Sequence, residues 1–134
     1  MARSATPAFP PARLISSTQE LEAALAPFHN ESFVTVDTEF MREQTYWPEL
    51  CLVQIGAVHD VVLIDALAEG IDLTPLKNLF ADTAVLKVFH AARQDLEIFL
   101  HLFDALPTPL FDTQVARWLQ GLEIRLGMTV WLAP

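Results

Sequence analysis

Residues 33–40 read FVTVDTEF (Phe33–Phe40), an apolar, strand-like run closing on two acids separated by one threonine. Successive side chains of a strand alternate faces. Asp37 and Glu39 therefore share one face, about 6.6 Å apart, while Val34, Val36 and Thr38 share the other. Burying an unpaired carboxylate costs several kcal/mol, so the pair calls for a cation, a hydrogen-bond network or water at a strand end. Two carboxylates facing one point suit one or two divalent cations of the hard kind, Mg²⁺ or Mn²⁺, which take oxygen ligands. Ions paired about 3.5 to 4 Å apart can stabilise both the attacking and the leaving oxygen of a phosphodiester. The alternative is a solvated strand end, with Asp37 paired to Arg42 or to a backbone amide.

The remaining composition narrows the choice. At 134 residues the chain fits one domain, long enough to bury about two thirds of its unfolded surface. Hydrophobic residues make up 52% and the mean hydropathy is +0.33. No run reaches the roughly 18 apolar residues of a membrane span, because Asp65, Lys87 and Asp95 interrupt the most apolar windows. No membrane is therefore expected among the partners. The start, MARSATPAFPPARLISS, is broken by Pro7, Pro10 and Pro11 before a signal-peptide core can form, so residues 1–12 read as a flexible leader of a cytoplasmic protein. The single cysteine, Cys51, excludes an internal disulfide, and Leu50, Leu52 and Val53 around it suggest a buried strand position. The net charge of −9, with only eight lysines and arginines, argues against a protein that holds nucleic acid by a broad basic surface. It leaves room for a site where cations mediate phosphate contact.

The elements follow from pattern and punctuation. Leu14 and Ile15 can form a short strand. Ser17 or Thr18 can cap a helix running to about Pro27, with Glu20 and Glu22 in its first turn. Phe33–Asp37, Leu50–Ala57 and Val61–Asp65 read as three strands joined by short links, an antiparallel meander. Thr74–Phe80 is a short helix with Pro75 at its start, and Val85–Phe89 is a fourth strand whose crossover favours parallel pairing. From Arg93 to Phe103, Leu96, Phe99, Leu100 and Phe103 fall at i, i+3, i+4 and i+7, one face of an amphipathic helix. Pro107 and Pro109 break the chain. Asp112 and Thr113 can cap a last helix over 114–120, which Gly121 is expected to stop. The succession β-α-β-β-β-α-β-α-α is that of an α/β domain with a mixed sheet.

A second acidic position lies in VFHAARQDLEIF, where the fourth strand ends in His90-Ala91-Ala92 and a helix carrying Asp95 begins. By the helical period Asp95 flanks the buried stripe and could lean over the sheet edge. It could equally be a helix N-terminal acid stabilised by the dipole, and Glu97 looks more solvated. His90 could contact a phosphate or a neighbouring carboxylate, or be a hydrogen-bonded core residue. Asp112 could be read as a fourth ligand, but the Asp-Thr pair before a helix is sufficiently explained as a cap. Tyr46 and Trp47 could stack on a base or pack their loop on the sheet. Phe40, His90 and Tyr46 are the candidate substrate contacts.

Taken in order and spacing, DTEFMREQTYWPELCLVQIG, VVLIDAL, VFHAARQDLEIF and PLFDTQVA resemble the catalytic domain of bacterial ribonuclease D, a DEDD-type 3′-5′ exonuclease. The resemblance covers about Phe33 to Ala116. It implies a ribonuclease H-like fold, a mixed sheet flanked by helices, over residues 13–134. By motif match Asp37 and Glu39 are the first acid pair and Asp95 the second-motif acid, together binding two Mg²⁺ or Mn²⁺ ions as the catalytic centre. The implied reaction is hydrolysis of the 3′-terminal phosphodiester of RNA, with tRNA precursors among the substrates and a nucleoside 5′-monophosphate as product. No protein partner is implied. The family's third motif, Tyr-x-x-x-Asp, is absent: Tyr46 is the only tyrosine and no aspartate follows Asp112. The helical RNA-binding domains of the family are absent too. After Ala116 the text stops resembling the family, as a frameshift or a premature stop would leave it. The expectation is thus an exonuclease domain truncated before its last catalytic motif, with a non-catalytic remnant that binds RNA or a partner as the alternative.

Overall fold

In the computed structural model, residues 10–42 and 47–126 are described, with backbone alone for 121–126. Most of the expected leader, and Tyr46, lie outside the described residues. The elements run β1 (Ala12–Ile15), α1 (Thr18–Leu25), a 3-10 turn (Ala26–Asn30), β2 (Phe33–Met41), β3 (Glu49–Gly56), β4 (Val61–Asp65), α2 (Thr74–Ala81), β5 (Leu86–Phe89), α3 (Arg93–Phe103), β6 (Leu110–Asp112) and α4 (Thr113–Leu126). Six strands form one mixed sheet in the order β1-β4-β3-β2-β5-β6. The meander β2-β3-β4 is antiparallel and the crossover strand β5 lies parallel to β2, as expected. Ser17 is the α1 cap, its hydroxyl accepting from the Glu20 amide.

Four expectations need correction. β2 runs on to Met41, so Asp37 and Glu39 stand inside the strand rather than at its end. Pairing with β3 as far as Met41 and Glu49 carries it there, across a register shift between Glu39 and Phe40. β6 is a strand that no local pattern announced; three residues become a strand only by pairing with β5. Gly121 does not stop α4, which continues to Leu126: one interior glycine costs about 1 kcal/mol, which neighbouring helix formers absorb. Cys51 is half-buried rather than buried.

Strand alternation sorts every row of the sheet. Ile15, Ile64, Val53 and Thr38 form one register row of buried residues; Val62, Ile55 and Val36 form the next. These rows join Leu21, Leu25, Phe28, Leu76, Leu79, Phe80, Ile98 and Phe99, the inward residues of the helices, in a single core. Phe99 packs edge-on against Phe80, with ring centroids 4.7 Å apart. The opposite face carries Leu14, Leu63, Gln54 and Asp37 in one row and Thr35, Val88 and Phe111 in another. There Leu14 is 62% exposed, Phe33 42% and Phe111 40%. The three helices α1 to α3 thus cover one side of the sheet, and among the described residues the other side leaves Leu14, Phe33 and Phe111 exposed.

Lys87 is the exception among the core residues. It is fully buried on the helical side of β5, and burial pushes its ammonium pKa down while nearby Asp82 opposes the shift. Its Nζ donates to the carbonyl oxygens of Asp82 at 2.5 Å and Thr108 at 2.9 Å, pinning the turn after α2 to the loop before β6. Lys87→Met keeps the stem and leaves those carbonyls without their donor. It should lower the unfolding free energy by about 1–3 kcal/mol, read from urea melts; a variant as stable as wild type would show that the ammonium staples nothing.

Candidate active site

The acids gather near the carboxyl ends of the parallel strands β2, β5 and β6. This is where an open α/β sheet usually offers its crevice. Asp37 and Glu39 leave the exposed side of β2, with Gln54 of β3 directly opposite Asp37. A cleft of about 400 Å³ on this side is lined by Thr35, Asp37, Gln54, Val88, His90 and Thr113. Asp37 Oδ1 accepts from the Thr38 amide at 3.0 Å, so the backbone-amide alternative holds for one of its oxygens. Arg42 does not pair with it: its guanidinium lies 3.7 Å from Glu97, which Arg93 also approaches at 3.7 Å.

Asp95 approaches β2 from the helical side. It does not flank the buried stripe of α3 but belongs to it: Asp95, Ile98 and Phe99 are buried, whereas Leu100 is 48% exposed. The Thr38 hydroxyl donates to Asp95 Oδ1, making Thr38 the link between the first acid pair and the helix. Burial raises the Asp95 pKa above the ordinary carboxylate value, repulsion from Asp37, Asp112 and Glu39 adds to the rise, and the Thr38 hydrogen bond opposes it.

The donor chemistry of these acids, all carboxylate oxygen, fits a hard divalent cation. Their closure is incomplete: among the described residues no three His, Cys, Asp or Glu side chains converge to hold one ion. Asp37 and Glu39 make an exposed two-carboxylate half-site, and Asp95 is engaged by Thr38 across the strand.

His90 is exposed rather than a core residue. Its Nδ1 lies 2.8 Å from the Thr113 hydroxyl, which is itself 3.3 Å from the Phe89 carbonyl oxygen. A hydroxyl that donates to Phe89 accepts from Nδ1–H, which leaves Nε2 as an acceptor at the cleft. Phe40 is half-buried against the core. Trp47 stacks on His101, ring centroids 4.4 Å apart, close to its expected packing role. Asp112 does cap α4, its Oδ1 accepting from the Gln114 amide at 2.9 Å, but the same carboxylate also takes the amides of Ala91 and Ala92. That second task was missed because nothing local to Asp112 signals it.

A fold with acids at the carboxyl edge of a mixed sheet meets its family here. A family model described as 3′-5′ exonuclease matches residues 12–132, and the chain belongs to that family. It is similar to the ribonuclease D of Acidiphilium cryptum, 58% identical over 91% of this chain and 31% of the relative, and to that of Gluconacetobacter diazotrophicus, 54% identical over 95% and 32%. The solved Escherichia coli RNase D, described as an exoribonuclease involved in structured RNA processing, is 32% identical with a TM-score of 0.76, over 90% of this chain and 35% of that one. The chain therefore corresponds to a ribonuclease D-like exonuclease domain and spans about a third of the length of these relatives. No helix among the described residues is long and apolar enough to cross a membrane.

The raised Asp95 pKa has a definite sign. The folded state holds the Asp95 proton more tightly than the unfolded state, so this group's effect on stability turns unfavourable as pH rises from the ordinary value of 3.8 through the raised one. In metal-free buffer Asp95→Asn should raise the melting temperature at pH 7, with the gain shrinking as pH falls through the raised value and gone below the ordinary value of 3.8. A melting curve unchanged or lowered at pH 7 would contradict the cost of burying the charged carboxylate beside other acids.

Proposed function

We propose that residues 13–134 form the exonuclease domain of a cytoplasmic 3′-5′ exoribonuclease that acts on 3′-extended RNA, tRNA precursors included. The observation that carries this reading is the exposed Asp37-Glu39 pair on the cleft side of the central strand, with Asp95 tied to the same strand through Thr38. The relatives' names and the RNA-processing description of the Escherichia coli enzyme support the substrate class.

In this reading Asp37, Glu39 and Asp95 hold Mg²⁺ or Mn²⁺, with Asp95 giving up its bond to Thr38 to do so. The cations, when bound, lower the pKa of water and neutralise charge at the scissile phosphate. The residues of the chain do the positioning. His90 Nε2 and Gln54 face the cleft where the terminal nucleotide would lie, and Thr113 holds the His90 ring. Tyr46 is the third proposed contact, and Phe40 supports the strand from the core side. Water attack releases a nucleoside 5′-monophosphate and leaves a hydroxyl on the shortened 3′ end.

The Tyr-x-x-x-Asp motif does not occur in these 134 residues, and a set that acts as a unit loses most of its rate with one member, so turnover by these residues alone should fall on the order of 10⁴–10⁶-fold below a complete enzyme. A 3′-tailed RNA incubated with Mn²⁺ should slowly release mononucleotides, and Asp37→Ala or chelation should abolish the release. Release that survives Asp37→Ala would contradict the assignment, and turnover by these residues at the rate of a complete ribonuclease D would contradict the need for the Tyr-x-x-x-Asp motif. The open sheet face, with Leu14, Phe33 and Phe111 exposed, favours a second reading: a non-catalytic remnant that binds RNA or a partner. Its signature is binding of tailed RNA with no mononucleotide released at any metal concentration.

A further inference from the structure

We infer that Asp112 is a positioning residue for the Asp95 helix, holding from β6 the start of a helix that has no side-chain cap of its own. The N-cap residue of α3 is Ala92, whose side chain offers no acceptor. Ala91 before it adopts φ 56°, the left-handed region that non-glycine residues avoid. Both amides point at one carboxylate: Ala91 N–H donates to Asp112 Oδ1 at 3.0 Å and Ala92 N–H to Oδ2 at 2.8 Å. Asp112 sits opposite Phe89, the last residue of β5, so it lies where the chain leaves the strand for the helix.

Capping α4 accounts for the amides of Gln114, which bonds Oδ1, and Val115, but not for those of Ala91 and Ala92. A serine or threonine would have served that purpose, without placing a third like charge against Asp95. Two oxygens serving the amides of Ala91, Ala92, Gln114 and Val115 explain why a carboxylate is used. The backbone bonds hold its pKa below the ordinary value despite the desolvation that opposes them. Asp95 lies three residues beyond Ala92, in the first turn of α3. Its placement over Thr38 therefore follows from where that turn is fixed. Asp112 itself touches neither Thr38 nor the cleft among the hydrogen bonds described. It acts through the backbone of residues 91 and 92.

The functional consequence rests on the reading of Asp95 as a cation ligand, and the test separates the two. Mn²⁺ binding would be measured on the full chain, at a temperature where every variant is folded, for wild type, Asp37→Ala, Asp112→Ala, Asp112→Asn and Lys87→Met. Amide hydrogen exchange at Ala91 and Ala92 would be followed alongside. Asp112→Ala should weaken Mn²⁺ about 10-fold, the lower end for loss of an outer support of a metal ligand. Asp112→Asn, which keeps one acceptor oxygen, should fall between Asp112→Ala and wild type, and the merely destabilised Lys87→Met should bind like wild type. The inference is overturned if Asp112→Ala binds like wild type, or if Asp112→Asn is no better than Asp112→Ala, which would reduce the effect to charge. If wild type and Asp37→Ala bind Mn²⁺ alike, the cation reading fails and exchange decides. Faster exchange of both amides in Asp112→Ala then supports the positioning role, and unchanged exchange overturns it.

Discussion

The period-two alternation of β2 is the constraint on which the remainder depends. β2 lies between an antiparallel and a parallel neighbour, so its two faces are set by pairing on both sides. One face sends Val34, Val36 and Thr38 into the helical core; the other turns Thr35 and Asp37 to the cleft and Glu39 to the same exposed side. A slip of one residue would drive both acids into the core and expose the valines. At the last buried position the chain places a hydroxyl where Val34 and Val36 have methyl groups. Thr38 fills its place in the row with Val53 and Ile64 and still gives Asp95 a partner.

The electrostatics of the molecule divide along the same strands. On the helical side of β5, Lys87 is a buried cation satisfied by two carbonyls, and its role is mechanical. At the carboxyl edge, burial and the charges of Asp37, Asp112 and Glu39 all raise the Asp95 pKa, with no lysine or arginine among the forces that shift it. Arg42 and Arg93, the nearest cations in sequence, are drawn to Glu97. A cluster of acids left uncompensated by protein cations is costly for stability and suited to a metal ion. Asp112 differs from the other three because backbone amides saturate it, which separates a carboxylate that holds the chain from those available to a ligand.

Much of this was legible in the residues because it is local. FVTVDTEF shows its alternation, LCLVQIGA and VVLID show their strands, and Arg93–Phe103 was delimited as α3 is observed. What was not legible depends on partners distant in sequence. The three residues of β6 carry no strand pattern and exist through β5. The extension of β2 past its acids depends on β3. The facing of α3 shows the same limit: the 3.6-residue period put Leu100 on the buried stripe and left Ile98 out, and only the sheet beneath selects Ile98 and brings Asp95 inward. The second task of Asp112 is joined to its partners across about twenty positions of chain, as its separations of 21 and 20 residues show. Family motifs carried Asp37, Glu39 and Asp95 together where spacing alone left a solvated strand end and a helix N-terminal acid as alternatives.

The central claim, that the exposed pair on β2 is the cation-binding half of an exonuclease site, is tested most directly by crystals soaked in Mn²⁺ and measured at the manganese absorption edge. An anomalous peak within coordination distance of both Asp37 and Glu39, absent from Asp37→Ala crystals of the same form, is the result expected. A peak elsewhere, or none beside the pair at millimolar Mn²⁺, would contradict the account.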